Sequence, residues 1–213
     1  MAYGVILYKF LNFRYLVFNY IHRNNAVSRA EITEKTQLSP TTVSIIVSEL
    51  LEDNLILNLG VGRTSGGRKP LMLGVNPKAK YVISIILRPK RVTYALVDLG
   101  CNIVERHDIE FFTRGKESAQ EILEQCINEL FADHKGIEDK LIGVGISIHG
   151  IINNDGPVLY PVSLDIKMFE VMKLMKERVY DTDYFVFKDT DALILGEKNF
   201  GKGKAYSNGV IPA

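Results

Sequence analysis

The stretch of the chain from residue 28 to residue 70 places the strongest constraint on the fold, because local signals divide it into two short helices. Ser28 is followed three residues later by Glu31, which is the spacing of a capping box. Ser39 is an N-cap residue followed by Pro40, and proline is tolerated at the first helical position because its missing N–H would be unpaired there anyway. We therefore predict one helix that ends near Gln37 and a second that begins after Ser39.

The second of these helices has two distinct faces. Apolar residues recur at steps of three and four, which predicts one buried stripe: Val43, Ile46, Val47, Leu50 and Leu51. The residues off that stripe are mostly small and hydroxyl-bearing: Thr41, Thr42, Ser44, Ile45 and Ser48. Small hydroxyl side chains near a helix N-terminus suit entry into the major groove of DNA, since they reach bases and phosphates without blocking approach. The alternative is the solvated face of an ordinary amphipathic helix pair.

A basic hairpin is predicted after the two helices. Residues 55–57 and 71–73 have strand character, and residues 60–62 are expected to form a turn region. The segment between the strands is rich in glycine and arginine, which favours close approach to phosphates and to a narrow minor groove. A helix-turn-helix followed by a basic hairpin is a winged helix, so we predict a DNA-binding surface. Its expected residues are Ser39, Pro40, Thr41, Thr42, Ser44, Arg63, Arg68 and Lys69.

Charge is distributed unevenly along the chain. Residues 1–78 carry nine Lys and Arg against five Asp and Glu, whereas the remaining residues carry 17 against 20. A basic front and an acidic back fit DNA contact by the first part only. The sequence contains no run of eighteen apolar residues, so no membrane partner is expected. Its two cysteines are far apart and its histidines are scattered, which predicts a reduced, cytoplasmic protein without a metal site.

The pattern changes after residue 77 to that of an α/β domain. Strand-like runs over 81–87, 91–97 and 103–112 predict an antiparallel meander. The further expected elements are a helix over 118–131, a buried parallel strand over 141–148, a helix over 168–179, a strand over 184–187 and a helix over 192–198. The fold class is thus α+β followed by α/β, with one domain over residues 1–77 and a second over residues 78–213.

Several sequence segments resemble one family of bacterial regulators. SRAEI, LSPTTVS and SGGRKP lie within residues 28–76, and IGVGISIHGIIN and KDTDALILGE lie within residues 141–197. These segments resemble those of ROK-family (repressor, open reading frame, kinase) transcriptional repressors, especially the xylose-repressor type. The resemblance implies a winged helix-turn-helix followed by one actin-like, ribonuclease-H-like sugar-kinase lobe. It also implies a homodimer that binds double-stranded DNA, represses genes of carbohydrate or xylose utilisation, and responds to xylose or another monosaccharide.

The same resemblance implies a sugar site. Gly150 lies on the family's sugar-side turn, and Asp189 matches the position of the family's catalytic base. The neighbouring positions differ, because Lys188 and Asp191 stand where the family carries asparagine. An alternative role for Asp189 is the N-cap of a helix.

Two departures from the family pattern bear on enzymatic activity. Family kinases hold ATP phosphates with a hairpin that contains aspartate and glycines, whereas residues 84–90 here read SIILRPK. The family also carries a second lobe, and the chain ends at Ala213, so we expect an incomplete sugar-kinase-like domain and a weakened sugar response. We predict a repressor that is not an enzyme and needs no cofactor. The alternatives are a ROK-family sugar kinase with a DNA-binding extension and a degenerate remnant that no longer binds DNA.

Overall fold

The computed structural model describes residues 2–24, 26–62, 69–88, 91–110, 116–148, 182–201 and 203. The chain forms two units, one of residues 1–80 with 99–102 and the other of residues 81–98 with 103–213. The first unit contains, in order, α1 (Ala2–Arg23), β1 (Val27–Ser28), α2 (Arg29–Thr36), α3 (Pro40–Glu52), β2 (Ile56–Val61) and β3 (Leu71–Val75). Its three strands form one antiparallel sheet in the order β1-β3-β2.

Both predicted helix starts in the first unit are confirmed. The Ser28 backbone N–H donates to Glu31 Oε2 at 2.6 Å and the Glu31 N–H donates to Ser28 Oγ at 3.3 Å, which completes the capping box. Helix α2 ends where Gln37 adopts a left-handed conformation with φ of 57°. Ser39 caps α3 by accepting from the Thr42 N–H at 3.1 Å. These local interactions set the short turn between α2 and α3.

The predicted turn at residues 60–62 is wrong, because strand β2 continues through Val61. The register between β2 and β3 shifts between Asn58 and Gly60, and Gly60 has a φ of 94°. A glycine at a bulge adopts this conformation without the cost that a Cβ would add, so the strand absorbs one extra residue and goes on pairing. Val61 then lies opposite Leu71, and the hairpin extends further than expected.

Replacing Ser28 by alanine should lower the free energy of unfolding by about 1 kcal/mol, because one orphan amide of α2 loses its acceptor. Urea unfolding followed by circular dichroism measures the change. Ser48→Ala is the matched control, since Ser48 is exposed within α3 and alanine is the stronger helix former. An equal loss of stability in both variants would contradict the capping role.

The second unit is built on a five-stranded mixed sheet in the order β6-β5-β4-β7-β8. Its elements are β4 (Tyr81–Arg88), β5 (Arg91–Asp98), β6 (Ile103–Glu110), α4 (Lys116–Asp133), β7 (Leu141–Ile148), β8 (Asp183–Lys188) and α5 (Asp189–Asn199). Strands β4, β5 and β6 form the predicted antiparallel meander, and β7 runs parallel to β4 and β8. The helix predicted over 168–179 lies outside the described residues.

Each unit has its own hydrophobic core. In the first unit, the apolar stripe of α3 packs with residues of the other helices and of the sheet. The buried members are Val17, Ile21, Val27, Ile32, Val43, Ile46, Val47, Leu50, Ile56 and Leu73. In the second unit, Cys126, Ile127 and Leu130 of α4 pack with buried residues of β4, β5 and β7. The spacing of the α4 residues is the helical period that predicted this contact.

Candidate nucleic-acid interface

The N-terminal turn of α3 presents the hydroxyl-bearing residues of the predicted surface. Pro40, Thr41 and Ser44 are exposed. Thr42 is half-buried, and its hydroxyl lies 2.8 Å from Ser39 Oγ. The hydroxyls of Ser39 and Thr42 therefore take part in the hydrogen bonds of the helix cap. Thr41 and Ser44 are exposed to solvent. The structure brings these five residues together within one and a half turns of helix.

The opposite face of α3 is fixed in the protein. The four buried stripe residues are each at most 1% exposed: Val43, Ile46, Val47 and Leu50. An ion-pair cluster holds the far end of the helix, because the Arg14 guanidinium of α1 lies 3.7 Å from Glu49 Oε2 and also pairs with the Asp53 carboxylate. Helix α3 is thus held along its inner face and at its C-terminus, which leaves its outer face and N-terminus accessible.

The hairpin β2–β3 closes at the base of the predicted basic loop. The Gly62 N–H donates to the Pro70 carbonyl at 2.8 Å, so these two residues, which flank segment 63–69, lie side by side. Lys69 is exposed. Arg63 and Arg68 lie outside the described residues, and their predicted contact with DNA stays a prediction.

The predicted sugar-site residues are only partly described. Asp189 is the first residue of α5, directly after β8, and its Oδ1 accepts from the Thr190 N–H at 2.8 Å. The N-cap position of α5 is taken by Lys188, so the alternative role of Asp189 as N-cap is wrong. Gly150 lies outside the described residues.

No set of three or more His, Cys, Asp or Glu side chains suited to a metal ion occurs within the described ranges. Cys101 is exposed and Cys126 is buried. Burial raises the pKa of the Cys126 thiol to about 12. Among the helices that the structure describes, none is long and apolar enough to cross a bilayer.

The second unit contains a group of ionisable side chains that sequence reasoning missed. Glu105 on β6 accepts from His107 and, at 2.5 Å, from Nε2 of His134, the residue directly after α4. Two hydrogen bonds hold the pKa of Glu105 below its ordinary value: the larger effect comes from His107 and the smaller one from His134. The His107 ring stacks on Tyr94 at 4.9 Å, and the Tyr94 hydroxyl donates to Glu129 Oε2 at 2.5 Å. The available signal was the two-residue spacing of Glu105 and His107, which puts both on one face of a strand.

The lowered pKa of Glu105 predicts an acid-sensitive contribution to stability. A carboxylate whose pKa is depressed in the folded state stabilises the fold at pH values above its ordinary pKa of 4.5. This contribution is lost as the pH falls through the lower pKa of the folded state. At pH 6, Glu105→Gln should therefore lower the free energy of unfolding by up to about 1 kcal/mol relative to the native chain. The difference should shrink below pH 4.5 in urea unfolding. Glu138→Gln, at an exposed glutamate, is the control, and a difference independent of pH would contradict the assignment.

The fold and the family follow from comparison with known proteins. The chain shares the fold of a solved structure, that of a ROK family transcriptional regulator homologous to the Escherichia coli MLC protein. The TM-score is 0.70 at 24% sequence identity, over 90% of this chain and 48% of that one. The model of the ROK family matches residues 83–212, more than half of the sequence. The chain therefore belongs to the ROK family, as its sequence segments predicted.

Two curated relatives are similar along nearly the whole chain. The xylose repressor of Bacillus spizizenii is 30% identical over 195 residues, which are 91% of this chain and 50% of the relative. The DNA-binding transcriptional dual regulator NagC of Escherichia coli is 22% identical over 196 residues, which are 92% of this chain and 48% of the relative. The chain spans about half the length of the curated relatives it matches.

Proposed function

We propose that this chain is a sequence-specific DNA-binding repressor of carbohydrate-utilisation genes, with its first unit acting as a winged helix-turn-helix. The observation that carries the proposal is the two-faced helix α3. Its inner face is fully buried, and its outer face and N-terminus are accessible and lined by hydroxyls. The names of the similar proteins, a xylose repressor and a DNA-binding regulator, support the same function.

In this proposal α3 enters the major groove with its N-terminal turn leading. Thr41 and Ser44 contact bases and phosphates because their hydroxyls face outward. Ser39, Pro40 and Thr42 form the capped start of the helix, where the positive end of the helix dipole attracts phosphate. The buried inner face supports the proposal, since a recognition surface must be held rigidly to select a sequence.

The hairpin β2–β3 is the proposed wing. Arg63, Arg68 and Lys69 contact the phosphate backbone or an A·T-rich minor groove. The hydrogen bond between Gly62 and Pro70 supports this role, since it joins the two residues that flank segment 63–69, in which the sequence carries all three cations.

The assembly and the ligand are further parts of the proposal. A cytoplasmic homodimer would place two copies of α3 on a near-palindromic site, because two-fold symmetry of the protein matches two half-sites. Residues 1–77 form the DNA-binding domain, and residues 78–213 form an actin-like sugar-kinase lobe. This lobe binds xylose or another monosaccharide, with Gly150 and Asp189 on the sugar side.

We propose that the chain transfers no phosphate and needs no cofactor. Strand β4 reads YVISIILR, so it offers neither a carboxylate to organise Mg²⁺ nor glycines that admit a phosphate chain. Incubation with ATP and a panel of monosaccharides, followed by detection of ADP, tests this part of the proposal. Sugar-dependent release of ADP would contradict it and would favour the kinase alternative.

Selection from a random duplex library tests DNA binding directly. Rounds of retention on the immobilised protein should enrich a two-fold symmetric site, and footprinting should then protect two patches about one helical turn apart. Retention without sequence preference, or no retention at low salt, would contradict the proposal. Adding xylose and other monosaccharides separately to the enriched complex tests the ligand, because the sugar that binds the lobe should change the affinity for the DNA.

A further inference from the structure

The outward face of α3 carries an isoleucine at its centre. Ile45 is 49% exposed, whereas the next residue, Ile46, is fully buried. Because successive helical residues are rotated by about 100°, Ile45 lies about 200° from Val43, on the side opposite the buried stripe. Its exposed neighbours at helical spacing are Thr41, four residues before it, and Ser48, three residues after it. The other two, Thr42 and Glu49, are half-buried, and Glu49 pairs with Arg14. Ile45 is therefore an exposed apolar group whose exposed neighbours are small and polar.

The position of this side chain suggests what covers it. Single exposed apolar residues are ordinary on protein surfaces, but Ile45 occupies the middle of the face that would enter the major groove. The apolar group that base pairs present in that groove is the C5-methyl of thymine. The hydroxyl neighbours are short, so they let the isoleucine approach a base edge closely.

We propose that Ile45 contacts a thymine methyl in each half-site of the bound DNA and helps to select that base. The inference rests on the proposed function, since it requires α3 to lie in the major groove. Cytosine lacks the methyl group, so the contact favours a T·A pair over a C·G pair at one position. Ile45 contributes by removing its side chain and the thymine methyl from water, whereas the hydroxyls of Thr41 and Ser44 contact polar groups of the bases and phosphates.

Replacement of thymine by deoxyuridine tests the contact, because it removes only the methyl group. In the enriched binding site, each thymine is changed in turn and the affinity is measured by fluorescence anisotropy. One thymine per half-site should show a loss of about fourfold, which corresponds to about 0.8 kcal/mol for one buried carbon. Ile45→Ala should bind the thymine and deoxyuridine sites equally well. The protein change Ile45→Ala and the base change from thymine to deoxyuridine thus form a double-mutant cycle. Their effects on affinity should be non-additive at the contacted thymine and additive at every other thymine.

Ile103→Ala is the matched control, because Ile103 is a 62% exposed isoleucine on β6 of the other unit. This variant should keep the full deoxyuridine effect. A deoxyuridine effect that persists in Ile45→Ala, or native binding that no deoxyuridine weakens, would overturn the inference and leave DNA binding by the first unit intact. Failure of the native chain to select any sequence would instead refute the proposed function and the inference with it.

Discussion

Ile46→Ala should lower the free energy of unfolding of the first unit by about 3 kcal/mol. Ile46 is fully buried beside Val43, Val47 and Leu50, and truncating a buried isoleucine loses its transfer free energy and leaves a cavity. Small domains are stable by only about 5–15 kcal/mol, so the loss is a large fraction of the total. Urea unfolding followed by circular dichroism at 222 nm measures it, since three of the five described α-helices, α1, α2 and α3, lie in this unit.

The adjacent residue provides the control for this prediction. Ile45→Ala is the same chemical change one position along, at a side chain that is 49% exposed, and it should change the free energy of unfolding by less than about 0.5 kcal/mol. Equal destabilisation by both changes would mean that α3 does not face the core as described. The two variants also distinguish the roles of the two isoleucines, because Ile46→Ala tests the packing of the fold and Ile45→Ala tests DNA recognition.

The helices of the first unit could be predicted because their signals are local. The reciprocal hydrogen bonds of Ser28 and Glu31 form within one turn, and so does the cap at Ser39. The 3.6-residue period of α3 identified its buried face correctly. Only Leu51 departs from the prediction, since it packs against the core without being fully buried.

The errors and omissions arose where distant residues decide the structure. Gly60 signals either a turn or a bulge, and the choice depends on pairing with β3, more than ten residues away. The ion pairs of Arg14 with Glu49 and Asp53 join α1 to the far end of α3. The contact of His134 with Glu105 requires α4 to lie over the sheet. No local pattern contains this information, because each contact exists only once the elements have packed.

The largest expected effect on DNA binding comes from the proposed wing. Changing Arg63, Arg68 and Lys69 together to alanine should weaken binding to the selected site roughly a hundredfold near 0.1 M salt, because three phosphate contacts and their released counterions are lost. The slope of log affinity against log salt concentration should fall by about one for each residue, about three in all. Anisotropy titrations at several salt concentrations measure both quantities.

A second triple variant separates contact from net charge. Lys135, Lys140 and Lys198 are exposed residues of the second unit, and changing them to alanine removes the same three charges. This control should leave the salt slope unchanged, since a charge that touches no phosphate releases no counterion. Equal weakening by both variants would mean that long-range attraction accounts for the effect. Normal binding by the first variant would mean that the hairpin β2–β3 lies away from the DNA and that α3 carries recognition alone.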